Sequence, residues 1–477
     1  MSDATQEEHG DDAQAHDAKA DDSHGSDADD KQQGDSDEVR AGSLSLLGTV
    51  SLGTGVMISA GIFAILGQVA GLAGGLFPLA FLVGAIVVGF SAYSYVKLAN
   101  AFPSSGGIAM FLRKEYGPGT ATGVFSLLMF VSMVINESLV ARTFGSYTLQ
   151  VVPLEPVAFW APALGVALLI GAFAVNAAGN ETVQRTASAT AFIKIAGLTV
   201  FAAAGLWLAS WADVLGSSTD TGSSVQAGGF LAGVALAILA YKGFTTITNS
   251  GGEVVDPHRN IGRAIVISIS ICAALYLALA VAVAGNLSLP EIVAAQNYAL
   301  AEAARPAFGD VGVWFTVALA IVATVSGVIA SVFATSRMLA MLTRMKQVPR
   351  AKFRMPGGLR TQAMIFTVGI AIVLTIVFDL SRIAALGAIF YLIMDIAIHW
   401  GILRRLRSEI GANTAIVVIA IVLDLVVLVA LLWINATTDA LVLYVSAAGL
   451  VAIIVGERLL MRSHTDEEGH MHMEMDE

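Results

Sequence analysis

The chain has 477 residues, of which 56% are hydrophobic and only 13% charged, about half the charge of a soluble domain. That composition excludes a soluble globular protein, and the single cysteine, Cys272, excludes an intrachain disulfide and a cysteine-based zinc centre. The net charge of -11 belongs to the ends: residues 1–39 hold fourteen acids against Lys19 and Lys31, residues 463–477 hold six against no base, and residues 40–462 carry a net +7.

Residues 1–39 combine low hydrophobicity with dense like charge, so they cannot bury enough apolar surface to offset ordering entropy and are predicted to be disordered. They lack the basic start and apolar run of a signal peptide. Runs of about 18 to 25 apolar residues, each long enough to cross a bilayer, follow. Twelve are read, near 46–70, 77–98, 119–142, 157–176, 189–209, 228–249, 264–285, 311–336, 361–378, 382–402, 412–433 and 439–459. Residues 463–477 are predicted to form a second disordered acidic tail. Its histidines, in GHMHMEMDE, could catch a transition metal but read first as solvated.

The connections carry a one-sided charge bias. Lys97, Arg113 and Lys114 follow the second span, Arg185 the fourth, and Arg259 and Arg263 the sixth. Seven bases between Arg337 and Arg360 follow the eighth, and Arg404, Arg405 and Arg407 the tenth. The opposite connections hold only Arg305 and Arg382. The positive-inside rule then places both tails in the cytoplasm of a plasma-membrane protein.

Two spans are weakened in the middle. The first reads SLGTGVMISAGIFAILG, with only small side chains at Ser59, Ala60 and Gly61. The sixth reads GGFLAGVALAILAYKGFTTITNS, with Lys242 and Gly243 well inside the bilayer. They are five spans apart and run in opposite directions, as a five-plus-five inverted repeat requires. Helices broken at the midplane would offer N–H groups to an anion and carbonyls to a cation, which suits a zwitterion. Small residues also serve simply to let helices pack closely.

Several segments together resemble the amino acid-polyamine-organocation superfamily, in its prokaryotic amino acid permease branch. GVMISAGIF (residues 55–63) is similar to the family's first-helix motif, with Ser59 where a glycine is usual. PSSGGIAMFLRKEYG (103–117) resembles its Pro-Ser-Gly-Gly loop. LAYKGFTTITNSGGEVVDPHRNIGRAI (239–265) matches its sixth-helix motif, although Gly262 replaces a common proline and Lys242 takes a slot often filled by a small or apolar residue. SRMLAMLTRMKQVP (336–349) resembles the end of its eighth helix, with Met345 and Lys346 in place of Asp-Gly.

The resemblance implies an all-α polytopic membrane protein with a LeuT-like fold: twelve transmembrane helices, helices one and six broken at the midplane. The first inverted repeat would occupy 40–209, the second 210–402 and two peripheral helices 403–462. Carried over by position, Ala60, Gly61 and Ile62 would bind a substrate carboxylate through backbone amides. Ile58, Ser59, Leu239, Ala240 and Tyr241 would offer carbonyls to the ammonium. Gly243 belongs to the same break, and Tyr241 and Phe244 would close over the side chain.

Ionisable residues inside spans are costly and are functional candidates for that reason. Lys194 lies about 8 Å into the fifth span by helical rise, near enough to the boundary to snorkel. The resemblance instead gives it a coupling role, since proton-coupled members carry a lysine here in place of a sodium ion. Desolvated lysines can exchange a proton near neutrality. Glu137, in the third span, either lies near the proton path or pairs with Arg142. Lys242 must find an acceptor among freed carbonyls, Glu137 and the substrate carboxylate. Asp395 and Asp424 lie in spans ten and eleven, with Asp424 assigned to packing or assembly. Glu253 and Arg259 form either a gate ion pair or a solvated loop.

These features point to a secondary active amino acid transporter that imports substrate with protons by alternating access. A sodium-coupled or exchange-only carrier, including one for cationic amino acids, and a transport-inactive sensor are the alternatives. No nucleophile, phosphate loop or metal cluster supports catalysis, and neither break carries the Asp, Met or His ligand set of a metal-ion carrier. The expected partners are the lipid bilayer, an amino acid and a coupling proton or sodium ion. No cofactor, resident metal or nucleic acid is expected.

Overall fold

The computed structural model describes residues 44–474 apart from 105, 179, 212–226, 346 and 348–357. The acidic segment 1–39 lies outside the described residues. The first helix, α1 (Leu46–Ala73), opens on Ser45, whose hydroxyl accepts from the Gly48 amide at 3.2 Å. It closes at Gly74, whose φ of 57° favours glycine. A 3₁₀ turn then leads into α2 (Phe77–Ala101). Next come α3 (Gly107–Tyr116), α4 (Thr120–Thr148), α5 (Val157–Ala177), α6 (Asn180–Leu208) and α7 (Ala227–Tyr241). A 3₁₀ turn at Lys242–Phe244 separates α7 from the short α8 (Thr245–Asn249). The remainder is α9 (Pro257–Ala284), α10 (Leu289–Ala294), α11 (Ala299–Arg344), α12 (Leu359–Val377), α13 (Leu380–Gly401), α14 (Thr414–Thr438) and α15 (Ala440–Glu474).

Among the described residues, eleven helical runs are long and apolar enough to cross a membrane. The sequence predicts twelve, and the two readings part at the start of the chain. There the end of α1 and all of α2 fall in one apolar run, Gly61–Ala101, interrupted by the 3₁₀ turn at Gly74–Leu76 that parts the first two predicted spans.

Of the two helices predicted to be interrupted, the sixth span is and the first is not. Lys242–Phe244 leaves α-helical geometry, whereas α1 is continuous from Leu46 to Ala73. The physical reason is a difference in scale. Glycine costs a helix about 1 kcal/mol, while a backbone group freed in hydrocarbon costs several. Small residues therefore narrow α1 without opening it.

Two further expectations are corrected at helix ends. α15 runs on to Glu474, through most of the segment predicted to be a disordered tail. α11 begins at Ala299, well before the predicted span, because it joins two helices across Gly309, whose φ is 56°.

At the centre α1 packs along α7; α1 also meets α4, α6, α9 and α11, and α7 meets α2, α13 and α14. α14, predicted to be peripheral, packs against α7, α13 and α2 with Asp424 fully buried. Its other face exposes Val418, Val422, Leu425, Val429 and Trp433, a stripe at helical spacing suited to lipid.

Candidate functional site

The site grows from the crossing of α1 with the interrupted end of α7. Glycines set its closeness. A Cβ on Gly243 would lie 2.5 Å from the Met57 amide nitrogen, and one on Gly61 would lie 2.6 Å from the Ala240 carbonyl oxygen and 2.5 Å from Tyr276 Oη. A Cβ on Gly327 of α11 would come 2.7 Å from Ser59 Oγ. The backbones of three helices therefore meet where only hydrogen fits, which is how membrane helices gain close packing. The small residues read as a weakness in α1 serve this contact.

Lys194 of α6 reaches into the crossing. Its Nζ donates to the Gly55 carbonyl at 2.7 Å, to Ser59 Oγ at 2.9 Å and to Ser326 Oγ at 3.1 Å, and the side chain is buried. Snorkelling is thus overturned, because the ammonium turns inward. Both hydroxyls spend their own hydrogens on their helices, Ser59 on Gly55 O at 2.5 Å and Ser326 on Val322 O at 2.7 Å. Their lone pairs are left for the lysine. One ammonium thereby ties α6 to α1 and α11 without any carboxylate.

A narrow cavity lies beside the crossing, with Met57, Asn136, Leu239, Ala240, Lys242, Gly243 and Ser331 among its walls. Of the residues predicted for the substrate, Leu239, Ala240 and Gly243 line it. Ile58, Ser59, Gly61 and Ile62 are buried in α1 away from its walls, and α1 contributes Val56 and Met57 instead. Ala60 lies in the same continuous helix. The two aromatics are engaged elsewhere. Tyr241 donates to the Phe81 carbonyl at 3.2 Å and packs 5.0 Å from the Tyr276 ring, while Phe244 meets Tyr95 edge-on at 5.2 Å.

Lys242 finds an acceptor outside the three predicted for it. Its Nζ donates to the Ser132 carbonyl at 2.9 Å and to the Ser132 hydroxyl, and it stands 5.2 Å from the centre of the Tyr391 ring. That ring supplies a cation–π contact, which gains strength on desolvation. Glu137 is fully buried and accepts from Ser331 Oγ at 3.3 Å, one hydroxyl behind the cavity wall. It makes no ion pair with Arg142.

The predicted gate pair is also corrected. Glu253 pairs with Arg337 of α11 at 3.4 Å, whereas Arg259 is exposed on the first turn of α9. Beside this pair the chain entering α1 is stitched to the end of the sixth span: the Leu44 amide donates to Glu253 O at 2.8 Å and the Val255 amide to Leu44 O at 2.9 Å. The Pro-Ser-Gly-Gly loop closes the same end. Gly107, at φ 48°, packs on Asn249, and a Cβ on Gly251 would lie 2.9 Å from the Ser104 backbone. Segments far apart in the sequence thus share one layer. Ser132, Ser326 and Ser331 were invisible as partners because each sits in an otherwise ordinary stretch of a distant helix, and Arg337 was read only as one of the basic residues after the eighth span.

The amino acid permease family matches residues 44–456. The chain is similar to the inner membrane transport protein YbaT of Escherichia coli, at 30% identity over 82% of this chain and 90% of the relative. It is likewise similar to the uncharacterized protein MJ0609 of Methanocaldococcus jannaschii, at 29% identity over 87% and 93%. It also resembles the chloroplastic cationic amino acid transporter 9 of Arabidopsis thaliana, at 26% identity over 60% of this chain and 51% of that one. With the matched region spanning nearly all the described helices, the chain belongs to the amino acid permease family, membrane transporters of the amino acid-polyamine-organocation superfamily.

Proposed function

We propose that the protein is a secondary active transporter that carries amino acids into the cell with protons, and that Lys194 is its coupling residue. The observation that carries this reading is the single buried ammonium joining α6 to α1 and α11 through Gly55 O, Ser59 Oγ and Ser326 Oγ. In this reading the chain crosses the plasma membrane twelve times with both termini cytoplasmic. Residues 40–209 and 210–402 form inverted repeats that rock about the α1–α7 crossing. Protonated Lys194 holds the three helices together. Release of its proton removes the charge and one donor, so the contact weakens and the equilibrium between the two access states shifts.

Substrate binds in the cavity between α1, α4, α7 and α11, with Leu239, Ala240, Gly243 and Lys242 at its wall. The amides of Ala60, Gly61 and Ile62 belong to a helix, so carboxylate capture there requires α1 to unwind around Ser59 as substrate arrives. The Arabidopsis relative's name favours cationic amino acids. Lys242 in the wall argues against them, since like charges brought together in a site cost several kcal/mol. Neutral amino acids are therefore the substrates assigned. Glu253 and Arg337 close the end of the bundle beside the Leu44 pairing.

The test is uptake of a radiolabelled amino acid panel into proteoliposomes, with and without an inward proton gradient. One charge moved through 100 mV is worth about 2.3 kcal/mol, enough for roughly 50-fold accumulation at about 1.4 kcal/mol per decade. Wild type should approach that ratio, and Lys194→Ala should only equilibrate its substrate. Uptake that follows sodium and ignores the proton gradient would overturn the assignment.

A further inference from the structure

We propose that Asp395, His399 and Asp424 bind one divalent first-row transition-metal ion inside the helix bundle, at a site separate from the substrate cavity. α13 presents Asp395 and His399 at i and i+4, on one face, and α14 presents Asp424 against them; all three side chains are fully buried. His399 Nε2 lies 3.3 Å from Asp424 Oδ2 and 3.8 Å from Asp395 Oδ2, and the donor atoms of the three all fall within 4.8 Å of one another. Neighbouring ligands of a tetrahedral ion with bonds of about 2.0–2.2 Å stand roughly 3.3–3.6 Å apart. Small side-chain shifts would therefore seat an ion between them. One imidazole with two carboxylates suits zinc, cobalt, iron or manganese.

The surroundings have the form of a built site. Ser91, Ser94 and Tyr95 share one face of α2. Asp395 accepts from Tyr95 Oη on one oxygen and from Ser91 Oγ on the other, each at 2.6 Å. His399 Nδ1 lies 2.8 Å from Ser94 Oγ, a hydroxyl placed to take the N–H that a metal-bound imidazole carries on its other nitrogen. The atoms that face inward have no such partner. His399 Nε2 and both oxygens of Asp424 are buried without a hydrogen bond. A proton shared by His399 and Asp424 would draw them into a straight bond of about 2.7–2.9 Å. They instead stand 3.3 Å apart and unaligned. An ion would satisfy all three atoms at once and join α2, α13 and α14.

The test is metal content per chain in full-length protein expressed in medium supplemented with zinc or cobalt, purified, reconstituted and washed with EDTA. The wash strips ions from the tail histidines, which wild type and variants share. Wild type should keep about one ion per chain. The cobalt form should show the visible absorption of a low-coordinate site, and His399→Ala and the isosteric Asp424→Asn should each hold at least tenfold less. A wild type that holds no more metal than Asp424→Asn overturns the proposal and leaves a cluster that binds protons only. Equal metal in wild type and both variants overturns it too, by placing the ion elsewhere.

Discussion

Two buried lysines flank the α1–α7 crossing, and their surroundings differ in kind. Lys194 binds three acceptors on two other helices, one of them a backbone carbonyl of α1. Lys242 binds the carbonyl and hydroxyl of Ser132 and lies over Tyr391. Both are held by neutral oxygens. Any motion of α6 against α1 must break the first set of bonds, whereas the second set fixes a charge in the cavity wall. In the proposed function the same side chain is a coupling element in one place and a selectivity element in the other. What decides the role is which helices the acceptors belong to.

Exchanging each lysine for a neutral residue tests that division most severely. Lys194→Ala should lose the roughly 50-fold, proton-driven accumulation expected at 100 mV, while keeping substrate exchange. The division fails if Lys242→Met loses it as well. A nearly comparable effect is expected at the crossing that separates the lysines. Gly61→Val would press on Tyr276 Oη and the Ala240 carbonyl, and overpacking of this kind costs about 1–3 kcal/mol. Thermal unfolding in detergent should register the loss, and binding should weaken even in well-folded protein. Unchanged affinity would place substrate away from the crossing.

A smaller effect is expected at the cavity wall. Lys242→Met should raise arginine uptake relative to alanine by about tenfold, near 1.4 kcal/mol, as read by competition assays. An unchanged ratio would mean that Lys242 does not face substrate. The smallest effect serves as a control on burial without partners. Glu115, on α3 outside the spans, is fully buried and neither of its oxygens has a hydrogen-bond partner. Burial pushes its carboxyl well above the ordinary carboxylate range. The folded protein then binds this proton more tightly than the unfolded chain, so its contribution to stability falls as pH rises from the ordinary value toward the raised one. Glu115→Gln should remove that part of the pH dependence, with a gain over wild type of about 1 kcal/mol that grows from pH 5 to pH 8. A constant difference between the two proteins would show that Glu115 does not titrate in this range.

Legibility in the sequence followed the range of the interaction. Apolar runs and the placement of basic residues are local, and the described helices lie close to where those patterns put them. Lys194 stood out because an ammonium in an apolar run has few innocent explanations. Its acceptors Ser59 and Ser326 lie 135 and 132 residues away; Ser59 stood out only as a motif position and Ser326 has no signature of its own. The Glu253 partner was missed for the same reason, since Arg337 is 84 residues distant while Arg259 is near. His399 drew no attention by itself and gains meaning only beside Asp424 on the next helix. The continuity of α1 was missed for a different cause. Helix propensity scales describe chains in water, where a loosened turn finds new hydrogen bonds, and in lipid that alternative is missing.

The glycine crossing also bears on how such a protein could change over generations. Gly61, Gly243 and Gly327 stand where a single added carbon meets the backbone or Ser59 of a neighbouring helix, so most substitutions there damage every cargo alike. Asn136, Lys242 and Ser331 line the cavity. A lineage that acquires a new nutrient is expected to vary at these wall positions first. The hinge would be inherited unchanged while the cargo diversifies around it.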